Sequence, residues 1–88
     1  MSAPIEWPDW WEWELEFTPH LEMRMDDRNF TEVDLRYMLD GALSYRPDVV
    51  PDRFVIETLH GGRAWEVIVE PDVEERLLVV IPADPTDR

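Results

Sequence analysis

Residues 53–70 read Arg53-Phe54-Val55-Ile56-Glu57-Thr58-Leu59-His60-Gly61-Gly62-Arg63-Ala64-Trp65-Glu66-Val67-Ile68-Val69-Glu70. Two runs rich in β-branched and aromatic residues flank a pair of glycines. Glycine tolerates the positive φ angles of a tight reversal, so this stretch predicts a β-hairpin turning at His60–Arg63. Its strands are expected over Arg53–Leu59 and Ala64–Glu70, with Trp65, Val67 and Val69 on one face. Downstream, a turn near Pro71-Asp72 leads into Arg76-Leu77-Leu78-Val79-Val80-Ile81. That unbroken apolar run suits a strand covered on both faces, with Pro82 and the polar end closing the domain.

Upstream, Trp11, Trp13, Leu15 and Phe17 alternate with Glu12, Glu14 and Glu16, the period-two pattern of a strand with one wet face. Thr18-Pro19 reads as an N-cap followed by proline at the first helical position, opening a short helix to about Arg28. Thr31 opens a second helix, with Asp34 completing an approximate capping box and Gly41 as its end. Val33, Leu35, Tyr37, Met38, Leu39 and Ala42 give this helix a broad apolar surface and predict that it is largely buried. A proline-rich connection returns to the hairpin. Four Pro-Asp pairs, at residues 8–9, 47–48, 51–52 and 71–72, mark element boundaries.

The order strand, helix, helix, then three strands predicts an α+β fold. Two N-terminal helices are expected on one face of a curved, mainly antiparallel sheet. The 88 residues are room for one domain, with residues 1–10 as an acidic, tryptophan-rich arm and residues 83–88 as a polar tail. The expected core is Leu21, Met25, Leu35, Met38, Leu39, Ile56, Val67, Val69, Val79 and Ile81.

Composition narrows the function classes. The absence of cysteine excludes a disulfide framework, a thiolate nucleophile and Cys-based metal sites. The first residues do not read as a signal peptide, and no apolar run approaches a membrane span, so a cytoplasmic location without membrane partners is expected. Twenty-one acids against eight bases give a net charge of −13, a field that repels nucleic acid and anionic membranes. Every base is arginine. A G+C-rich genome explains that choice without function; retention of arginines as bidentate anion binders is the functional alternative.

His20, Arg24 and Arg28 recur every four residues and fall along one stripe of the first helix. Such a stripe could hold a phosphate and move a proton near neutral pH. The plainer reading, favoured on spacing alone, is a solvated face paired with Glu22, Asp26 and Asp27. His60 and Arg63 flank the hairpin and would extend the patch if it folded towards the helix; ordinary turn flanking is the favoured reading. His20 and His60 are too little to build a metal site, and neither metal nor cofactor is expected. The chain carries no Gly-rich phosphate loop, nucleophile elbow or His-Glu-x-x-His motif. Trp7 and Trp10 precede the first strand. They either cap the edge of the core or form a partner-binding patch, since tryptophan is enriched in interface hot spots.

His20-Leu21-Glu22-Met23-Arg24-Met25 resembles the His-x-x-x-Arg-Met start of an uncharacterised bacterial domain family related to RelE-type ribonuclease toxins. Arg28-Asn29-Phe30-Thr31-Glu32-Val33-Asp34 is similar to that family's Arg-Gly-Ile-Ser/Thr helix entry. Gly62-Arg63 leading into Trp65–Val69 resembles its Gly-Arg hairpin. The likeness covers residues 17–82. It implies helices packed on a curved antiparallel sheet, and His20, Arg24, Arg28 and Arg63 as candidate catalytic positions at an RNA cleft. The chain departs from the pattern in two ways. Val80-Ile81-Pro82 offers no hydroxyl where the family's last strand usually ends in threonine, and RNA-cleaving toxins are commonly basic.

Two functions are therefore expected in order. The first is a non-catalytic protein-binding module on a toxin-like scaffold, meeting a basic protein partner through its acidic, tryptophan-rich surface. The second is a metal-independent ribonuclease using His20 as acid/base and Arg24 and Arg63 to stabilise phosphate charge.

Overall fold

A computed structural model describes residues 6–86. The first five residues of the expected arm and the last two of the expected tail lie outside them. The elements are β1 (Glu14–Phe17), α1 (Pro19–Arg28), α2 (Glu32–Asp40), β2 (Ser44–Pro47), β3 (Phe54–His60), β4 (Arg63–Asp72) and β5 (Leu77–Pro85). The fold is α+β, with two helices and one five-stranded mixed sheet in the order β1-β5-β4-β3-β2.

The hairpin forms where the two glycines require it. Gly61 and Gly62 have φ of 59° and 78°, the pair of positive values that a two-residue turn needs to match the twist of its strands. His60 then pairs with Arg63, and Ile56 with Val67. β5 pairs antiparallel with β4 and parallel with β1, setting Leu15 beside Leu78 and Phe17 beside Val80. After the two helices β2 runs antiparallel to β1, and the three reversals from β2 to β5 bring β5 parallel to it.

Both helix starts work as their sequences suggest. The Thr18 hydroxyl accepts the Leu21 N–H at 3.1 Å, and the same hydroxyl lies 3.2 Å from the Ile81 carbonyl, to which it donates. Thr31 and Asp34 form a reciprocal capping box. The Asp34 carboxyl lies below the ordinary aspartate value, chiefly through its bond from the Thr31 N–H; desolvation opposes the shift, while the Thr31 side chain and nearby His60 reinforce it. α1 ends with Asn29 in the left-handed region at φ 62°, and α2 ends at Gly41. The Thr58 hydroxyl on β3 donates to the Met38 carbonyl, satisfying a helix-end acceptor that has no partner within α2.

Leu21 from α1 and Leu35 and Met38 from α2 join Ile56, Val67, Val69, Leu78 and Val80 in one buried cluster. Both helices thus cover the same face of the sheet. Several expectations need correction. First, Val79 and Ile81 are only partly buried, while Leu78 and Val80 are 1% and 0% exposed. The other sheet face carries no helix, so β5 is not covered on both sides. Met25 is likewise only partly buried; the other expected core residues are buried. Second, Val33 and Tyr37 are 59% and 72% exposed, because α2 touches the sheet along a narrower stripe through Leu35, Met38 and Leu39.

Third, the strand expected over residues 11–17 starts at Glu14. Asp9–Glu12 forms a 3-10 turn in which the Trp11 N–H bonds the Pro8 carbonyl at 3.0 Å. Fourth, the connection after α2 contains a strand, β2, antiparallel to β3, and β5 passes through Pro82 instead of stopping there. Pro82 is tolerated because β1 ends opposite Val80. Beyond that point one side of β5 has no strand neighbour, and the register against β4 shifts between Val67 and Val69. The strand order in sequence is therefore β-α-α-β-β-β-β. Among the described residues no helix is long and apolar enough to cross a membrane.

Candidate functional site

The arginines of α1 are drawn onto one carboxylate. Arg24 and Arg28 lie 3.6 and 3.5 Å from the same Asp84 oxygen. Asp84 sits on the last part of β5, where β1 no longer flanks it and α1 runs alongside. These contacts are ionic pairs at the long end, and that oxygen has no hydrogen-bond partner. Each is partly exposed, so each is worth on the order of 0.2–1 kcal/mol. Asp84 falls within the segment expected to be a polar tail, and no signal in the sequence singles it out among the acids.

His20 does not share that arrangement with the hairpin arginine. It is exposed in the first turn of α1, close to Thr18, whose hydroxyl lies against Val80 and Ile81. Val80 pairs with Val69, and Arg63 is six residues back along β4. At about 3.3 Å per residue that is a separation of roughly 20 Å along the strand. Arg63 instead neighbours His60 across the turn, and the His60 ring meets Trp65 edge-on at 5.3 Å. The structure brings Arg24 and Arg28 together and leaves His20 beside the middle of β5, with Arg63 at the hairpin end of β4.

Trp7 and Trp10 are partly buried and belong to an aromatic cluster. Trp7 stacks on Trp11 with ring centroids 4.3 Å apart and touches Tyr45 at 5.2 Å. Trp10 packs on Phe54 at 5.0 Å and meets Tyr45 edge-on at 6.0 Å. The Tyr45 hydroxyl donates to the Glu6 carbonyl at 3.0 Å. The cluster closes the core at one end of the sheet, where β2 supplies Tyr45. Sequence reading assigned no element to β2 and so gave Trp7 and Trp10 no partner there.

One side of this cluster is open. Trp10 and Phe54 form part of the wall of a depression of about 820 Å³ at the end of the sheet opposite the glycine hairpin. The β2–β3 loop lines it with Asp48 and Asp52, and the end of β4 and the turn after it with Asp72 and Glu74. Arg53 also lines it, bonded to Glu70 at 3.1 Å. A smaller groove of about 220 Å³ lies on the helix side, between Trp11, Trp13 and Leu15 and the α2 residues Arg36, Leu39 and Asp40. The large depression joins aromatic surface to carboxylates, a combination suited to binding a cationic group; the described residues that line it include no histidine and no side-chain hydroxyl or amine. Comparison of the chain with known protein families, with curated proteins and with solved structures finds no match in any of the three.

Proposed function

We propose that this chain is a non-catalytic protein-binding module on a toxin-like scaffold, and that its partner is a basic protein. The observation that carries the reading is Trp10, packed against Phe54 and at the same time walling an acid-lined depression. Tryptophan held rigid by its neighbours contributes contact area at little entropic cost, which suits an interface anchor. Surrounding carboxylates would steer a basic partner towards it. The non-catalytic part is supported by the engagement of Arg24 and Arg28 with Asp84 and by the placement of His20 in α1 and Arg63 at the hairpin. The scaffold reading is supported by the strand–helix–helix order and by both helices lying on one sheet face.

The test is capture of partners by the native protein, followed by binding kinetics with the purified partner. Trp10→Ala should weaken association by about 1–2 kcal/mol or more; Trp10→Phe, which keeps the contact with Phe54, should restore stability but not full affinity. Raising the salt concentration should slow association. A partner whose binding ignores both perturbations would refute this interface.

A further inference from the structure

Two loops flank the acid-lined depression, and both present valine to solvent. Val49 and Val50 on the β2–β3 loop are 96% and 41% exposed, and Val73 on the β4–β5 turn is 75% exposed. Val73 lines the depression itself, and Val49 and Val50 stand at its other lip on the loop that supplies Asp48 and Asp52 to its wall. The charge is one-sided. Among the described residues that line the depression, Asp48, Asp52, Glu70, Asp72 and Glu74 face a single cation, Arg53, which Glu70 already holds. Two of these acids have structural duties: Asp48 accepts the Val49 N–H and Asp72 accepts the Glu75 N–H. Asp52 and Glu74 are exposed.

We propose that the depression between residues 47–53 and residues 70–74 docks a cationic, amphipathic segment of the partner protein. Its basic side chains meet Asp52, Glu74 and their neighbours, while its apolar side chains lie against Val49, Val73 and the Trp10–Phe54 wall. The inference rests on the binding-module reading above and names the place and the ligand chemistry. Charge complementarity selects this occupant. A second copy of a chain with net charge −13 would bring like charge to the same carboxylates, and an anionic ligand would be repelled.

The probe is a short synthetic peptide alternating arginine and leucine, with an arginine–serine peptide as control, titrated against the full chain. Asp52→Asn with Glu74→Gln removes two charges without touching the two acids that order the loops; asparagine also tolerates the left-handed backbone at residue 52, where φ is 68°. Val49→Ser with Val73→Ser removes the apolar lips. Each double variant should weaken the arginine–leucine peptide by about tenfold, the product of two exposed contacts. Amide shifts on binding should concentrate in the two loops. Equal binding of the arginine–serine peptide would overturn the amphipathic match. Peptide binding that survives both double variants, or shifts mapped to α1 or α2, would overturn the location while leaving the module reading standing. Dimerisation through the loops would show a second copy as occupant and overturn the proposal. Absence of any binding, by peptides or by a captured basic protein, would overturn both.

Discussion

Thr18 does two things with one oxygen. As N-cap it accepts the Leu21 N–H at 3.1 Å, and as donor it reaches the Ile81 carbonyl at 3.2 Å. The first bond starts α1; the second fastens that start to β5. Thr18→Ala should therefore cost about 1–2 kcal/mol, the upper part of the range for a capping residue, and Thr18→Ser should recover most of it. Denaturant unfolding of the two variants measures this, and an alanine variant as stable as the native chain would show that the hydroxyl holds nothing. The capping half of this role is legible in Thr18-Pro19, because caps are local. The other half is not, because the carbonyl it meets is 63 residues away. Asp84 poses the same difficulty. Nothing in its neighbours marks it among 21 acids as the one that receives Arg24 and Arg28; only the passage of α1 beside the end of β5 does so.

At the level of elements, periodicity identifies what is regular and loses what is short or featureless. The hairpin, both helices and the last strand follow from patterns that repeat or from turns that need glycine. β2 has four residues, ends in proline and pairs on one side only, so neither alternation nor composition reveals it. Leu77 to Ile81 is apolar throughout and carries no phase; it forms a strand under either assignment of its faces. The structure assigns Leu78 and Val80 to the helix-covered side, and Val79 and Ile81 to the open side. Two adjacent valines thus provide a direct test. Val80→Ala should cost about 2–3 kcal/mol, since two carbon groups leave a fully buried site and a cavity remains. Val79→Ala should cost less than about 1 kcal/mol, because the lost surface is partly solvated and no closed cavity forms. Both lose the same strand propensity, so the difference reports burial alone. Equal losses in thermal or denaturant unfolding would mean that the open face is as tightly packed as the core.

For the molecule as a whole, charge decides what can approach. A net charge of −13 on 88 residues surrounds every local feature with a field that disfavours phosphate. A local basic patch could still hold RNA if its cations were available and convergent. Here Arg24 and Arg28 sit on Asp84, Arg36 on Glu32, Arg46 on Glu57 and Glu66, and Arg53 on Glu70. Cleavage also needs a proton carrier beside the phosphate. Arginine is a poor one, because it holds its proton far above neutral pH, and His20 lies in the first turn of α1 whereas Arg63 lies at the β3–β4 hairpin. Two of the three basic residues in the stripe that resembles a ribonuclease site thus share one carboxylate on β5. We expect the purified protein to leave RNA intact, alone and with ribosomes, and His20→Ala and Arg24→Ala to change nothing in that assay. Arg24→Ala should lower stability by no more than about 1 kcal/mol, as for an exposed ion pair. RNA cleavage by the native chain, abolished in both variants with folding intact, would reverse this conclusion and return the stripe to a catalytic role.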